Sequence, residues 1–300
     1  MRPGLAIAIA ALLVVGACRQ APDQVRSQLL GTHVWRADPD WFGGLSAVQI
    51  TDGGTALWAL SDKGRLLRAA LTRDGDQITG AQITGQWRLK NSSGQVLAPG
   101  TTDSEGLALG ADGTLFVSFE GAHRVAAYAS PTSRAQVLTQ LAQFDGLELN
   151  KSLEALAIDA QGRLYAVPEI NDGPIPVYRR DGAGWTVAFA LPPSRGFLPV
   201  GADIGPDGRL YLLERGFSPL GFRTQLRRFD LSDQGATDQV TLIRTAFGTH
   251  DNLEGVSIWR DDQGALRATL IADDNFLSLQ QTQLVEYRLP DPVELQREPR

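Results

Sequence analysis

A pattern that recurs five times is the feature that most restricts what this chain can fold into. In each unit, small and apolar residues alternate, a turn rich in Asp and Gly follows, a second alternating run comes next, and an acidic residue closes the unit. Alternation with a period of two on both sides of a tight turn predicts a β-hairpin. The units are GGLSAVQITDGGTALWALSD, EGLALGADGTLFVSFE, EALAIDAQGRLYAVPE, VGADIGPDGRLYLLE and EGVSIWRDDQGALRATLIADD.

The spacing of the units predicts how the hairpins are arranged. Their closing acids recur at intervals of roughly 45 to 59 residues, close to the period of a four-stranded propeller blade. A third strand follows each hairpin, and outer strands are predicted at residues 77–89, 136–144, 185–191 and 239–245. The sequence therefore predicts an all-β fold, a β-propeller of four-stranded antiparallel blades. Five units favour five blades, and a sixth, degenerate blade between Leu71 and Asp103 is the alternative.

The last unit lacks an outer strand, because only PDPVELQREPR remains after Leu289. Ahead of the first hairpin, residues 28–35 (QLLGTHVW) read as a strand that no unit uses. An N-terminal strand that completes the last blade would close the ring and leave no exposed sheet edge. We therefore expect residues 28–290 to form one propeller domain and residues 291–300 to form a C-terminal tail.

The N-terminus has the features of an export signal. Arg2 precedes a run of thirteen apolar and small residues from Leu5 to Ala17, which is short of the roughly 20 that a membrane-spanning helix needs. Val15-Gly16-Ala17-Cys18 resembles a bacterial lipobox, in which the cysteine is lipidated after cleavage. We expect a signal peptide over residues 1–17, then a lipidated Cys18 and a tether over residues 18–27. Ordinary signal cleavage beside a cysteine without a role is the alternative.

This N-terminus predicts a protein of the bacterial cell envelope, anchored by lipid at the periplasmic face or in the outer membrane.

The composition limits what such a protein binds. Among 300 residues the net charge is −6, which argues against nucleic acid as a partner. With 3 His and 1 Cys, the chain lacks the residues for disulfides, thiolate zinc sites or multi-histidine metal centres. Any metal must therefore be held mainly by oxygen, and the oligomeric state is left open.

The repeated acids are predicted to meet at one end of the propeller. In an antiparallel hairpin, the first residue of one strand and the last residue of the next lie at the same end. Because the first strand of each blade lines the central channel, these acids surround its mouth. Such a ring needs protons or a cation to offset its repulsion, and oxygen ligands suit calcium. The predicted metal ligands are Asp62, Glu105, Glu120, Glu154, Glu169, Glu214, Glu254, Asp273 and Asp274. Strand capping, or pairing with Lys63 and Arg215, is the alternative role.

Several phrases in this order resemble the bacterial phytase-like proteins, a family labelled "esterase-like activity of phytase". They are FGGLSAV with ALSDKG, TDSEGLAL, LEALAID with AVPE, PDGRLYLLERGF, and DNLEGVSI with ADDNF, spread between Phe42 and Phe276. The likeness continues to about Leu289, over nearly all of the chain that follows the predicted tether. It implies a domain with recurrent Asp and Glu and phosphoester hydrolysis. The fourth unit departs from the pattern, since it begins with Val200-Gly201-Ala202-Asp203 and has no Glu-Gly or Glu-Ala.

The predicted function is therefore metal-assisted hydrolysis of a small-molecule phosphoester, or of another ester, at the acidic mouth. Calcium would screen the charge of the phosphate, and basic side chains would clamp its oxygens. The predicted catalytic residues are Glu105, Glu154, Glu254, Lys63 and Arg215. A non-catalytic propeller lipoprotein, which binds a ligand or partner and holds structural calcium, is the alternative. The chain has no G-x-S-x-G, H-E-x-x-H or Walker A sequence, so these hydrolytic mechanisms are unsupported.

Overall fold

The structure is a computed structural model that describes residues 27–121, 123–142, 144, 152–182 and 184–291. Cys18 and the predicted signal peptide, most of the predicted tether and nearly all of the predicted C-terminal tail lie outside these residues. Among these residues, twenty β-strands form five antiparallel sheets of four strands each. The strands nearest the axis contact one another in the cyclic order β2, β6, β10, β14, β18 and back to β2. The predicted five-bladed β-propeller is confirmed.

Each blade has four strands, numbered along the chain and ordered from the axis outward. Blade 1 consists of β2 (Leu45–Thr51), β3 (Ala56–Ser61), β4 (Arg65–Asp74) and β5 (Gln77–Arg88). Blade 2 consists of β6 (Ser104–Leu109), β7 (Leu115–Phe119), β8 (Arg124–Tyr128) and β9 (Gln136–Val137). Blade 3 consists of β10 (Ala155–Ile158), β11 (Leu164–Val167), β12 (Ile175–Asp181) and β13 (Gly184–Leu191). Blade 4 consists of β14 (Leu198–Ile204), β15 (Leu210–Ser218), β16 (Gly221–Ser232) and β17 (Gly235–Arg244). Blade 5 consists of β18 (Asn252–Arg260), β19 (Leu266–Asp273), β20 (Gln283–Arg288) and β1 (Gln28–Val34).

The N-terminal strand closes the ring as predicted. Strand β1 pairs antiparallel with β20, from Gln28 opposite Arg288 to Val34 opposite Gln283. Just after it, Trp35 is 2% exposed and its ring lies 5.0 Å from that of Phe42, in the core between blades 5 and 1. The alternative sixth blade is absent from the described stretch between Leu71 and Asp103. That stretch holds the long outer strand β5 and a loop with one isolated β-bridge.

The inner hairpins turn where the sequence carries its Asp-Gly pairs. In blade 2, Asp112 accepts a hydrogen bond at 2.9 Å from the backbone N–H of Thr114, and Gly113 has a φ of 85°. A residue with a side chain rarely adopts this left-handed conformation, which explains why glycine follows the aspartate. These turns lie at the end of each blade opposite the predicted mouth.

The apolar core is divided among the blade interfaces. Five clusters of buried side chains are found in the described part of the chain, and each joins two neighbouring blades. Each blade is therefore held by its two neighbours, because a single sheet cannot bury both of its faces alone.

No helix among the described residues is long and apolar enough to cross a membrane.

Candidate functional site

The inner strands reach the mouth through a shared irregularity. In blades 1, 2, 4 and 5 the pairing of the first two strands shifts register near the start of the inner strand, which leaves a bulge there. In blade 3 the corresponding residue directly precedes β10. We call these five positions the inner ring. Its members are Ser46, Glu105, Glu154, Val200 and Glu254.

A second set of side chains surrounds the first, where the second strand of each blade ends. In each blade, the inner-strand residue just before the bulge has a pairing partner on the second strand. The residue that follows this partner in the chain belongs to the second set. We call these positions the outer ring. Its members are Asp62, Glu120, Glu169, Arg215 and Asp273. The two rings hold seven carboxyl groups and one guanidinium group, so the predicted acidic mouth exists and blade 4 interrupts it.

The small residue after each inner-ring position allows the inner strands to approach closely. A Cβ atom at Gly255 would lie 2.7 Å from the Cα atom of Ala47 on the neighbouring strand, and one at Gly201 would lie 2.4 Å from the carbonyl oxygen of Glu254. Real Cβ atoms do not come this close to backbone. The Glu-Gly pair is therefore one structural unit, in which the glycine brings the strands together and the glutamate faces the axis.

Below the inner ring the channel is almost closed. The cavity lined by Glu105, Glu154 and Val200 has a volume of about 10 Å³. This volume is at the lower limit for holding one water molecule. A ligand larger than a water molecule therefore does not fit at this point of the channel.

Burial and mutual repulsion raise the pKa values of two inner-ring glutamates, Glu105 and Glu154, well above normal. Burial raises the pKa of Glu105 well above its ordinary value, and the charges of Glu254, Asp103 and Glu120 raise it further. Burial also raises the pKa of Glu154 well above normal, with contributions from Glu105 and the neighbouring glutamates. In the outer ring, burial and the charge of Glu254 raise the pKa of Asp273 to about 7. Neutral and ionised carboxyl groups therefore coexist at this mouth near neutral pH.

Carboxyl groups of two neighbouring blades lie within hydrogen-bonding reach of each other. They are Glu120 in the outer ring and Glu154 in the inner ring. Burial raises the pKa of Glu154 well above normal, so Glu154 keeps its proton to higher pH, and a hydrogen bond from it lowers the pKa of Glu120. Burial is the largest cause acting on Glu120, and it raises the pKa of that group. A carboxyl group that keeps its proton to higher pH than its neighbour suits acid-base chemistry.

A third acid completes a cluster on blade 2. One carboxylate oxygen from each of Asp103, Glu105 and Glu120 lies within 4.8 Å of the others. Burial, with the charge of Asp62, raises the pKa of Asp103. Asp103 is not among the ligands predicted from the sequence, although the phrase Thr102-Asp103-Ser104-Glu105 places it two residues from an inner-ring acid. Three converging carboxylates form a donor set that suits a hard divalent cation such as calcium.

Arg215 is bound by the acids around it. It donates to Glu169 at 2.9 Å and to Asn252 at 2.7 Å, and a further short hydrogen bond joins it to Glu254. Asn252 in turn donates to Glu254 at 2.8 Å. The guanidinium thus lies between blades 3 and 5, where blade 4 contributes no acid. This contact lowers the cost of ionising Glu254, whose pKa is nevertheless raised by burial.

Lys63 is the more accessible of the two predicted cationic residues. Its side chain is 63% exposed, compared with 21% for Arg215. Its ammonium group lies 2.8 Å from Asp62 and 5.4 Å from the centre of the Phe276 ring. The hydrogen bond from Lys63 to Asp62 raises the pKa of this lysine, so it remains charged.

Two of the predicted metal ligands have structural partners. Glu214 lies one residue before its outer-ring position, so the alternation along β15 turns it away from Arg215. Both of its oxygens accept from Arg227 at 2.6 Å, and both side chains are almost fully buried. Asp274 accepts hydrogen bonds from the backbone N–H groups of Gly44 and Phe276 and from the hydroxyl of Thr282. These contacts hold the loops of blades 5 and 1 together.

Two histidines differ in their relation to the site. His250 is buried, with Nε2 2.7 Å from the Tyr287 hydroxyl, and burial lowers its pKa. His123 lies beside the mouth, in the turn after Glu120, and its Nδ1 is 2.6 Å from the hydroxyl of the buried Ser152. The sequence around His123 predicts only a structural role, because nothing local shows that its turn faces the acids.

The comparisons with known proteins agree with the fold. The sequence model of the phytase-like family, described as "esterase-like activity of phytase", matches residues 40–276. No curated protein matches the sequence. Among solved structures, the catalytic domain of the GH62 α-L-arabinofuranosidase of Coprinopsis cinerea is similar with a TM-score of 0.55 at 12% identity, covering 88% of this chain and 97% of that one.

Two further structures are more distant in shape. They are virginiamycin B lyase from Staphylococcus aureus, with a TM-score of 0.48, 10% identity and coverage of 88% and 100%, and the Xanthomonas campestris gluconolactonase, with a TM-score of 0.48, 14% identity and coverage of 89% and 96%. At these identities the similarity concerns the fold alone, and the lower two scores support no argument about activity.

Proposed function

The chain belongs to the phytase-like family, and from this premise we propose that it hydrolyses phosphoesters at the acidic mouth of its propeller. The family match and the fold together support a hydrolase-type propeller. The observation that carries the finer proposal is the pair of glutamates, Glu154 and Glu120, that lie within hydrogen-bonding reach of each other at the mouth. A proton donor and a proton acceptor therefore lie side by side there.

The two members of the pair suit opposite steps of hydrolysis. Glu120, as a carboxylate, can accept a proton from an attacking water. Glu154, neutral at higher pH than an ordinary glutamate, can give a proton to the departing alcohol. The closed channel below them limits the number of water molecules that compete for these protons. Environments that separate the pKa values of neighbouring carboxyl groups are how such acid and base roles are divided.

A divalent cation fits the cluster on blade 2. Asp103, Glu105 and Glu120 would hold it, because their oxygens already converge within 4.8 Å. A bound calcium ion would neutralise part of the ring's charge and polarise a phosphoryl oxygen. Without such a cation, the carboxylates of the mouth would repel a phosphate group.

The two cations of the mouth have different proposed roles. Lys63, which is exposed, would contact the oxygens of the substrate phosphate. Arg215 would act mainly as a positioning residue, since Glu169, Asn252 and Glu254 already occupy its guanidinium. In holding Glu254 ionised, it would keep one negative charge fixed on the side of the mouth away from the neutral glutamates.

The test replaces Glu105, Glu154 and Glu254 by glutamine together. The control replaces three exposed acids away from the mouth, Asp233, Asp238 and Asp262, by asparagine, which removes the same formal charge. Melting temperatures are measured with calcium and with chelator, and hydrolysis is measured on phosphoester and carboxylester substrates. Calcium at about 100 times its dissociation constant should stabilise wild type and control by ~2.7 kcal/mol. The mouth variant should lose this response and any hydrolysis.

Three results would argue against the proposal. A wild type whose melting temperature ignores calcium, and which hydrolyses no substrate, would contradict both the cation site and the reaction. A calcium response without hydrolysis of any ester would favour the alternative, a non-catalytic binding propeller with structural calcium. Hydrolysis that survives in the mouth variant would place the reaction elsewhere.

We also propose that Cys18 carries a lipid that anchors the domain in the cell envelope. The proposal rests on the single cysteine directly after the apolar run. Strand β1 begins at Gln28 beside Arg288, at the end of blade 5 opposite the mouth, so a tether joined there is compatible with a mouth that faces away from the membrane. The Cys18→Ala variant should appear in the soluble fraction or accumulate unprocessed. Unchanged processing and membrane fractionation would contradict the anchor.

A further inference from the structure

Exposed apolar side chains are concentrated at the mouth. Nine large apolar residues are exposed among the described residues, and five of them lie in two loops there. One loop is the tip of the β15–β16 hairpin and the other connects β19 to β20. We call these five residues the apolar arc. Its members are Phe217, Leu220, Phe276, Leu277 and Leu279, with exposures between 43% and 95%.

The apolar arc adjoins both cations of the mouth. Phe217 follows Arg215 by two residues on β15, so their side chains project to the same face. The ring of Phe222, opposite Phe217 on β16, lies 5.1 Å from Phe217 and 6.0 Å from the Arg215 guanidinium. On the other side, the Phe276 ring lies 5.4 Å from the Lys63 ammonium. Apolar surface therefore lies beside Lys63, which would contact the substrate phosphate, and beside Arg215.

The same side of the mouth is where the acidic rings are interrupted. Blade 4 contributes Val200 to the inner ring and Arg215 to the outer ring. The converging carboxylates of Asp103, Glu105 and Glu120 lie on blade 2, which does not adjoin blade 4. The mouth thus has an acidic side and a side that is cationic and apolar. Such a surface complements a ligand with one negative charge and an apolar group.

We propose that the substrate is a small phosphodiester in which one alcohol is apolar. This inference rests on the proposed phosphoester hydrolysis and narrows it. The phosphate, with its single charge, would lie over the rings beside Lys63, and the apolar group would lie on the apolar arc. Water adds to phosphorus, one P–O bond breaks, and the proton from water passes through the carboxyl groups to the departing alkoxide. The products are a phosphomonoester and an alcohol.

Charge is the reason to prefer a diester over a substrate with several phosphates. The rings carry seven carboxyl groups and one arginine. Each further charge on the substrate adds repulsion at short range, inside a mouth where water screens poorly. An inositol hexakisphosphate would also leave the apolar arc without a partner. Exposed apolar surface of this extent usually marks a binding site.

The test compares two diesters with the same leaving group, methyl 4-nitrophenyl phosphate and octyl 4-nitrophenyl phosphate, below the concentration at which the octyl ester forms micelles. Wild type should show kcat/KM about tenfold or more higher for the octyl ester, because its methylene groups leave water. The double variant Phe217→Ser, Leu220→Ser should reduce the ratio to about two or less. Val187→Ser, which changes an exposed apolar residue on the outer strand β13, should keep the wild-type ratio. Equal melting temperatures confirm that all three fold.

The outcomes separate this inference from the function on which it rests. If neither diester is hydrolysed, the proposed phosphoester hydrolysis fails and the inference fails with it. If the methyl ester is hydrolysed and the octyl ester has no advantage, only the inference is overturned. An octyl advantage that survives in the double variant, or faster hydrolysis of inositol hexakisphosphate than of the octyl ester, also overturns it.

Discussion

At the scale of single residues, Arg215 determines how many of its neighbours are ionised. Its guanidinium contacts Glu169 and Glu254, and both carboxyl groups are largely buried, with side-chain exposures of 12% and 15%. Burial raises the pKa of Glu254, and the charge of Arg215 opposes this effect. A buried pair of this kind adds little net stability when intact, but loss of one partner leaves a charge without compensation.

Arg215→Gln should therefore destabilise the protein increasingly as the pH rises. Without Arg215 the pKa of Glu254 in the folded state rises further above its unfolded value. The folded state then binds more protons than the unfolded one, so the free energy of unfolding falls with increasing pH above the unfolded pKa. We expect a small loss near pH 4 and roughly 1–3 kcal/mol near pH 8, measured by denaturant unfolding at each pH.

Arg179→Gln is the control for this prediction. Arg179 pairs with Asp181 at 2.9 Å near the surface, where the aspartate is 47% exposed, so its loss should cost under ~1 kcal/mol and vary little above pH 5. A penalty for Arg215→Gln that is the same at pH 4 and pH 8 would contradict the role given to the arginine.

At the scale of strands, the distance between inner strands is set by residues without bulk. Gly255 on β18 faces the backbone of β2, where an added Cβ would meet Ala47 Cα at 2.7 Å and Val48 N at 2.9 Å. Neither neighbour is the end of a flexible side chain, so one of the strands must move. A shift near the start of β18 also displaces Glu254, the residue before Gly255.

Gly255→Ala should destabilise the protein by about 2–3 kcal/mol, in the range of other overpacking changes. Gly173→Ala is the control, because an added Cβ there meets nothing within 4 Å. It should change stability by less than ~1 kcal/mol in either direction. Thermal or denaturant unfolding of the two variants makes the comparison. Similar stabilities would show that β2 and β18 can separate without cost.

At the scale of the whole molecule, stability depends on closing the ring between blades 5 and 1. Strand β1 covers the edge of β20, and Trp35 fills the core beneath it. Arg73 of blade 1 donates to the buried Glu286 of blade 5 at 2.6 Å. This interface therefore combines a sheet, an apolar cluster and an ion pair between segments far apart in sequence.

A chain that begins after residue 36 should melt at a lower temperature than one that begins at Ala21, or should aggregate. The deletion exposes the edge of β20 to pairing with other chains and leaves the space of Trp35 empty. Calorimetry and light scattering of the two chains provide the measurement. Equal melting temperatures and solubility would mean that β1 is dispensable for closure.

The sequence by itself favoured five blades over six and identified the closing strand. Alternation with a period of two and Asp-Gly turns are local signals, and the pattern they form is repeated five times. The N-terminal end of the chain offered a strand that no blade used, and the C-terminal blade lacked its outer strand. It also placed Glu105, Glu154 and Glu254 at the mouth, because strand ends follow from hairpin geometry.

The tertiary structure decided that Arg215 rather than Glu214 occupies the outer ring, and that Glu214 pairs with Arg227. A one-residue shift of register reverses which face a side chain occupies, and the shifts of register arise from contacts between strands. The convergence of Asp103 with Glu105 and Glu120, and the raised pKa values, likewise depend on burial and on neighbours from other blades, which no local pattern encodes.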